Sequence, residues 1–250
     1  MTEAEDLSRA GSSAYTRHMA ETINLLERDV YGLGQVDRLL GLKGGTARRW
    51  IEGYTRGQKT YPPVVREQPT GQEIVSWGEF VETRLLAEFR DAGVSIVRLR
   101  PAVERLRKQL DTRYPLATAR PFLDVEGREL VWKVQEAVGL EHELQIVVVR
   151  SGQIVLTEPA QRFADSATFR PSDGVVELLR PVADIGEVVI DPLRQFGEPV
   201  VRNSSVRTDI ITEQIRAGES IDAIAEMYDL RRPEVEAALR YELVRGDVAA

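Results

Sequence analysis

No cysteine occurs in the 250 residues. That removes disulfides, zinc ribbons, thiol redox sensing and cysteine nucleophiles from consideration. Histidine is almost as scarce. His18 and His142 lie far apart in the chain, so a histidine-rich metal site is not expected. No apolar run approaches the ~20 residues that a membrane span needs. The N-terminus carries Glu3, Glu5 and Asp6 and no apolar stretch, so it does not read as a signal peptide. A cytoplasmic protein is the expectation. A glycine-rich phosphate loop, a nucleophile elbow and metal-ligand spacing are missing too. Glu141-His142-Glu143 could suggest acid–base chemistry, but neighbours on a helix or strand do not converge on one point. No catalytic residue, metal ligand or cofactor is assigned, and an enzyme is not expected.

What the sequence does have is unevenly placed charge. The net charge is −7, which looks wrong for a nucleic-acid binder. Residues 31–114, however, hold 15 Lys and Arg against 10 acids, and residues 115–250 hold 15 against 24. Within 31–66 there are 7 bases and 2 acids. Salt screens charges beyond about 8–10 Å, so a phosphate backbone would meet the local patch and not the whole-chain sum.

The pattern predicts an α+β protein. Residues 1–24 read as a flexible leader, polar with Ala10-Gly11-Ser12-Ser13-Ala14 in the middle. In 25–114, Val36, Leu39 and Leu40 suit a short helix, Gly41–Gly45 a turn, and Gly45 or Thr46 the cap of a second helix reaching about Tyr54. The β-branched pairs Val64-Val65 and Ile74-Val75 predict a two-stranded hairpin. Phe80, Val81, Leu85, Leu86 and Phe89 mark a longer helix. Val103, Leu106 and Leu110 mark another, with Pro101 giving a kink or a start near Arg100. Residues 115–185 predict a small antiparallel sheet, with strands at 122–127, 145–150, 153–156 and 174–179 and a short helix at 132–138. Residues 186–250 open on a strand and loop and end in helices, with Gly218 as a stop, Ser220 as a cap and Pro233 as a start.

The helix at 46–54 decides the functional reading. Ala47, Trp50, Ile51 and Tyr54 share one face, so Trp50 is core and Arg48 and Arg49 project outward. In a helix-turn-helix, the second helix enters the major groove with its N-terminal half. Thr46, Arg48 and Arg49 then stand where base edges and phosphates would be met, and Lys43 sits near a helix N-terminus. Arg56, Lys59 and Arg66 would belong to a wing gripping the flanking backbone. If the guanidiniums at 48 and 49 lay against the molecule's own carboxylates, no groove could receive them and the regulatory account would fall. The last helix places Glu234 and Glu236 near its start, and 218–250 holds 4 Arg against 8 acids. Phosphate would repel that face, so this second helix pair is read as a protein contact and not a DNA reader.

GLGQVDRLLGLKGGTARRWIEGY and VSWGEFVETRLLAEFRDAGVSIVRLRPAVERLRKQL resemble the DNA-binding domain of the MerR family. The resemblance covers Tyr31 to Leu110 and implies a winged helix-turn-helix with a helix pair behind the wing. The wing segment YTRGQKTYPPVVREQPTGQE departs from the family pattern. A MerR-like metal or redox sensor is disfavoured, since that role normally uses cysteines. VVIDPLRQFGEPVVRNSSVRTDIITEQIRAGESIDAIAEMYDLRRPEVEAALRYE resembles domain of unknown function four-three-three, departing at Asn203-Ser204-Ser205-Val206. That resemblance implies a helix-turn-helix-like module found in antitoxins paired with PIN-type ribonuclease toxins.

The two resemblances together imply a VapB-type antitoxin. Such a protein binds double-stranded DNA at its own operator as a homodimer and neutralises its partner nuclease. PIN-type nucleases hold Mg²⁺ with carboxylates, so an arginine could enter that cluster. Arg202, Arg207 and Arg245 are the candidates for this toxin contact. The alternative is a stand-alone MerR-like transcriptional regulator whose middle sheet binds a small effector.

Overall fold

Strand β1, Asp29–Gly32, pairs antiparallel with β4, Ile74–Ser76, and so closes off everything between them. This computed structural model describes residues 25–91, 93 and 95–248; the leader expected at 1–24 lies outside them. From β1 the chain enters helix α1, Leu33–Leu39, which buries Leu33, Val36 and Leu39. Gly41 (φ 58°) starts the turn, Leu42 is buried beneath it, and Gly45 (φ 79°) leads into α2, Thr46–Ile51. Helix α2 buries Ala47, Trp50 and Ile51. A hairpin follows, β2 at Tyr54–Arg56 and β3 at Lys59–Tyr61, with the rings of Tyr54 and Tyr61 stacked 4.6 Å apart.

The hairpin expected on Val64-Val65 and Ile74-Val75 does not form. The amides of Val64 and Val65 donate to the Trp50 carbonyl at 2.8 and 3.1 Å, which makes these valines core residues at the foot of α2. Ile74-Val75 is taken by β1. The turn Gly57-Gln58 closes a hairpin nearer in sequence, with Gly57 at φ 62°. β-Branched residues report burial as readily as strand, and here burial decided.

Helix α3, Trp77–Asp91, runs through the centre with Phe80, Val81, Leu85, Leu86 and Phe89 all buried. After a 3₁₀ turn, α4 spans Arg100–Leu110 with Pro101 in its first turn, a start and not a kink. The middle region differs from its expected form. The strand placed at 122–127 is two helices, α5 at Arg120–Leu123 and α6 at Val125–Ala137. Asp124 separates them and accepts the Glu126 amide at 3.1 Å, so it is an N-cap. Gly127 lies so close to the Arg120 carbonyl that a Cβ would not fit. Strands β5, Val147–Arg150, and β6, Gln153–Leu156, form one hairpin. Helix α7, Glu158–Ser166, leads into β7, Ala167–Phe169, which pairs with β8, Val176–Leu179. The expected sheet is thus two separate hairpins. One apolar core joins this region to the front: it runs from Leu25 to Ile190, and the Trp77 indole donates to the Val176 carbonyl at 2.7 Å.

The C-terminal module begins with β9, Val188–Val189, paired with β10, Val200–Val201. Helices α8, Thr208–Arg216, α9, Ile221–Met227, and α10, Arg232–Val248, complete it around Val201, Ile211, Ile224, Val235 and Ala238.

Behind the front helices, Glu82 is fully buried. It accepts the Leu116 amide at 3.0 Å and faces Arg107 only at 3.5 Å. Arg107 spends its stronger bonds on the Val64 and Val65 carbonyls. Burial therefore outweighs the cation, and the Glu82 carboxyl is pushed up from 4.5 to about 7. Between those values the folded chain holds a proton that the unfolded chain has lost. Stability from this residue is full below about 4.5, declines as pH rises through about 7, and is level above. The decline is at most about 3 kcal/mol. Urea unfolding from pH 5 to 8 should show it, and Glu82→Gln, which keeps an acceptor for Leu116 and cannot ionise, should flatten the profile.

Candidate nucleic-acid interface

Helices α1 and α2 are tied together by a residue that local sequence counts only as charge. Asp37 is buried at the end of α1, and its carboxylate accepts the Gly45 amide at 2.6 Å and the Ala47 amide at 2.7 Å. These amides are unpaired donors at the start of α2, so the carboxylate caps one helix from the other. Gly45 occupies the N-cap position but has no side chain to do this. The contact spans eight and ten residues, outside any local capping pattern. Asp37→Ala should cost about 1–3 kcal/mol and Asp37→Asn less, as read by thermal unfolding.

Held this way, α2 turns Arg48 and Arg49 to solvent. The two are not equivalent. Arg48 makes a two-pronged contact with Glu73, itself exposed, on the segment before β4. That hydrogen bond holds the Glu73 carboxyl below its usual range. Arg49 bonds the Thr46 hydroxyl at 2.9 Å and, among the described residues, pairs with no carboxylate. Thr46, expected among the outward residues, is instead buried with its hydroxyl on Arg49. Lys43 is exposed in the turn. Arg56 and Lys59 are exposed and directly opposite each other across the hairpin, with the Lys59 ammonium 5.0 Å from the centre of the Tyr61 ring. Like charges so placed repel.

Arg66 does not belong to this surface. It is buried between Glu52 and Glu79, with its Nε 2.7 Å from Glu79 Oε1. It was expected in the wing because it is a base in a basic stretch. Its carboxylate partners lie 14 and 13 residues away, a pairing that no local pattern shows.

The three arginines considered for a toxin contact are each engaged within the module. Arg202 Nε donates to the Gly186 carbonyl at 2.9 Å, Arg207 pairs with Asp209, and Arg245 lies 3.3 Å from Glu242. Asp209, Glu242 and Arg245 line one groove between α8 and α10. Glu234 and Glu236, at the start of α10, are likewise tied to Arg231 and Arg232.

A feature the sequence did not flag lies between β9 and β10. Gln195, Phe196 and Gly197 are all left-handed, at φ 45°, 55° and 74°. The Gly197 and Glu198 amides bond back to the Arg194 and Gln195 carbonyls at 2.8 and 3.0 Å. For a non-glycine residue, this conformation costs roughly 1–2 kcal/mol. Gly197 has no alternative, since a Cβ would collide with the Tyr31 hydroxyl and Val30. The turn is clamped to the front of the molecule. Tyr31 Oη donates to the Gly197 carbonyl at 2.8 Å, and Gln35 and Arg38 donate to Glu198 Oε1 at 2.6 and 2.9 Å.

Residues 188–241 match the family described as "Protein of unknown function (DUF433)". Most of the chain is similar to the uncharacterized protein Rv2308 of Mycobacterium tuberculosis (strain ATCC 25618 / H37Rv). The two are 38% identical over 221 residues, covering 87% of this chain and 92% of the relative. It is also similar to "Putative antitoxin VapB45" of the same organism, 30% identical over 224 residues, covering 84% and 92%. The chain belongs to the family of these two proteins. The crystal structure of Rv2018 from Mycobacterium tuberculosis shares its fold, with a TM-score of 0.67 and 27% identity over 84% of this chain and 96% of that one. The likeness to the family thus extends well beyond the C-terminal module and hints at a toxin–antitoxin family. Among the described residues, no helix is long and apolar enough to cross a membrane.

Proposed function

We propose that this chain is an antitoxin that binds double-stranded DNA at its own operator and neutralises a PIN-type ribonuclease. In this reading, α1, α2 and the β2–β3 hairpin act as a MerR-like winged helix-turn-helix, with α2 in the major groove and the hairpin against the flanking backbone. The observation that carries it is the register that sets Arg56 opposite Lys59 in the hairpin following α2, a helix that itself turns Arg48 and Arg49 outward. Two cations facing each other are a cost to the free protein, and a phosphate between them turns that cost into attraction. A homodimer would meet two half-sites about 34 Å apart. The relative named as an antitoxin supports the second half of the proposal.

A gel shift on the DNA upstream of the chain's own gene tests both halves, run with and without the protein encoded beside it. The expected result is a retarded band strengthened by that neighbour, and loss of the neighbour's RNA cleavage when this chain is added. No retardation at low salt would remove the DNA half. Undiminished cleavage would remove the antitoxin half.

A further inference from the structure

We propose that Phe196 and Leu193 are the anchor by which this chain grips its partner nuclease, and that they enter an apolar socket rimmed with carboxylates. This rests on the antitoxin reading and names the surface that performs it. Phe196 is 84% exposed and Leu193 65%, three residues apart with Arg194 between them. Exposure alone decides nothing, since single apolar residues are common on surfaces. The conformation adds the argument. Phe196 sits in the left-handed region, where glycine would be free of strain, and its ring is left in solvent. The turn's shape therefore does not call for an aromatic there. Strain kept at an exposed residue points to use outside the fold. The clamps from Tyr31, Gln35 and Arg38 hold the turn in place, so the ring loses little freedom on docking.

Charge chooses the occupant. Two ion pairs flank the turn, and in both the cation is outermost. The Arg38 side chain is 43% exposed and its partner Glu198 16%; Arg194 is 34% exposed and Asp191 11%. The face offered is an apolar knob with a positive rim, complementary to an acidic socket. Four of the surface cavities among the described residues hold no excess of carboxylates over cationic side chains, so none of these four offers that socket on a second copy. A nuclease that gathers carboxylates for its metal ions offers what the rim requires.

The test is Phe196→Gly, with Leu193→Ala as a second variant, in the full chain against the purified protein encoded by the adjacent gene. Phe196→Gly should leave the thermal midpoint unchanged or raised and weaken nuclease binding at least tenfold. Leu193→Ala should weaken it less, and operator binding by either variant alone should match wild type. Nuclease binding by Phe196→Gly at wild-type strength would overturn the proposal. So would a lowered midpoint, or a changed sedimentation of the chain by itself, which would assign the ring to the fold or to a contact between copies. If the wild-type chain fails to bind the neighbour, the antitoxin reading falls first, and this proposal falls with it.

Discussion

Arg66→Met should cost the fold roughly 3–5 kcal/mol, a large share of the 5–15 kcal/mol that a domain has to lose. The guanidinium is surrounded. It meets Glu79 through Nε and Nη2 at 2.7 and 3.0 Å, Glu52 through Nη1, and the Thr70 hydroxyl and Ile74 carbonyl at 2.6 Å each. The two carboxylates work outward from it. Glu52 accepts the Thr70 and Gly71 amides at 2.8 Å each, and Glu79 accepts the Ser76 amide at 3.0 Å. The loop between the hairpin and β4 is thereby stapled to the end of α2 and the start of α3. Methionine would leave both acids buried without a counter-charge. Urea denaturation should show the loss, and adding Glu52→Gln and Glu79→Gln to the same chain should recover part of it. A loss under about 1 kcal/mol would mean that water reaches these carboxylates. The same loop carries Glu73, so its loosening should also release Arg48.

That network shows where reading the sequence stops. Apolar spacing made α1, α2, α3 and α4 legible: α1, α2 and α4 each bury one face against the same core, and the central α3, buried nearly all round, still carries its large apolar residues at helical spacing. The C-terminal helices were legible from their punctuation at Gly218, Ser220 and Pro233. Partners distant in sequence were not. Arg66 and Arg107 count as positive charge in any local sum, yet both are internal. Asp37 counts as negative charge, yet it is the cap of another helix. Phe122–Gly127 has the apolar content of a strand, and only the Asp124 cap and the close approach at Gly127 reveal two helices crossing. The basic patch survives this correction in reduced form. Arg66 leaves it, Arg48 enters it half-neutralised by Glu73, and Lys43, Arg49, Arg56 and Lys59 stay exposed.

Because Arg48 starts out paired and Arg49 does not, their replacement should not have equal effects on operator binding. Alanine at both should weaken it on the order of a hundredfold. Arg49→Ala should carry most of that. It should also lower the slope of log affinity against log salt by about 0.9, one phosphate contact's worth of released counterions. Arg48→Ala should change the slope less. A phosphate that takes Arg48 must displace Glu73, and the freed carboxylate gathers a cation of its own. Glu73→Gln should therefore strengthen binding several-fold and restore a full slope contribution to Arg48, since the competitor is gone while the arginine is untouched. Fluorescence anisotropy across a salt series would measure the wild type and all four variants. An unchanged slope in Arg49→Ala would mean that α2 does not touch phosphate. Weaker binding in Glu73→Gln would mean that the Arg48–Glu73 pair positions the arginine for the groove instead of withholding it.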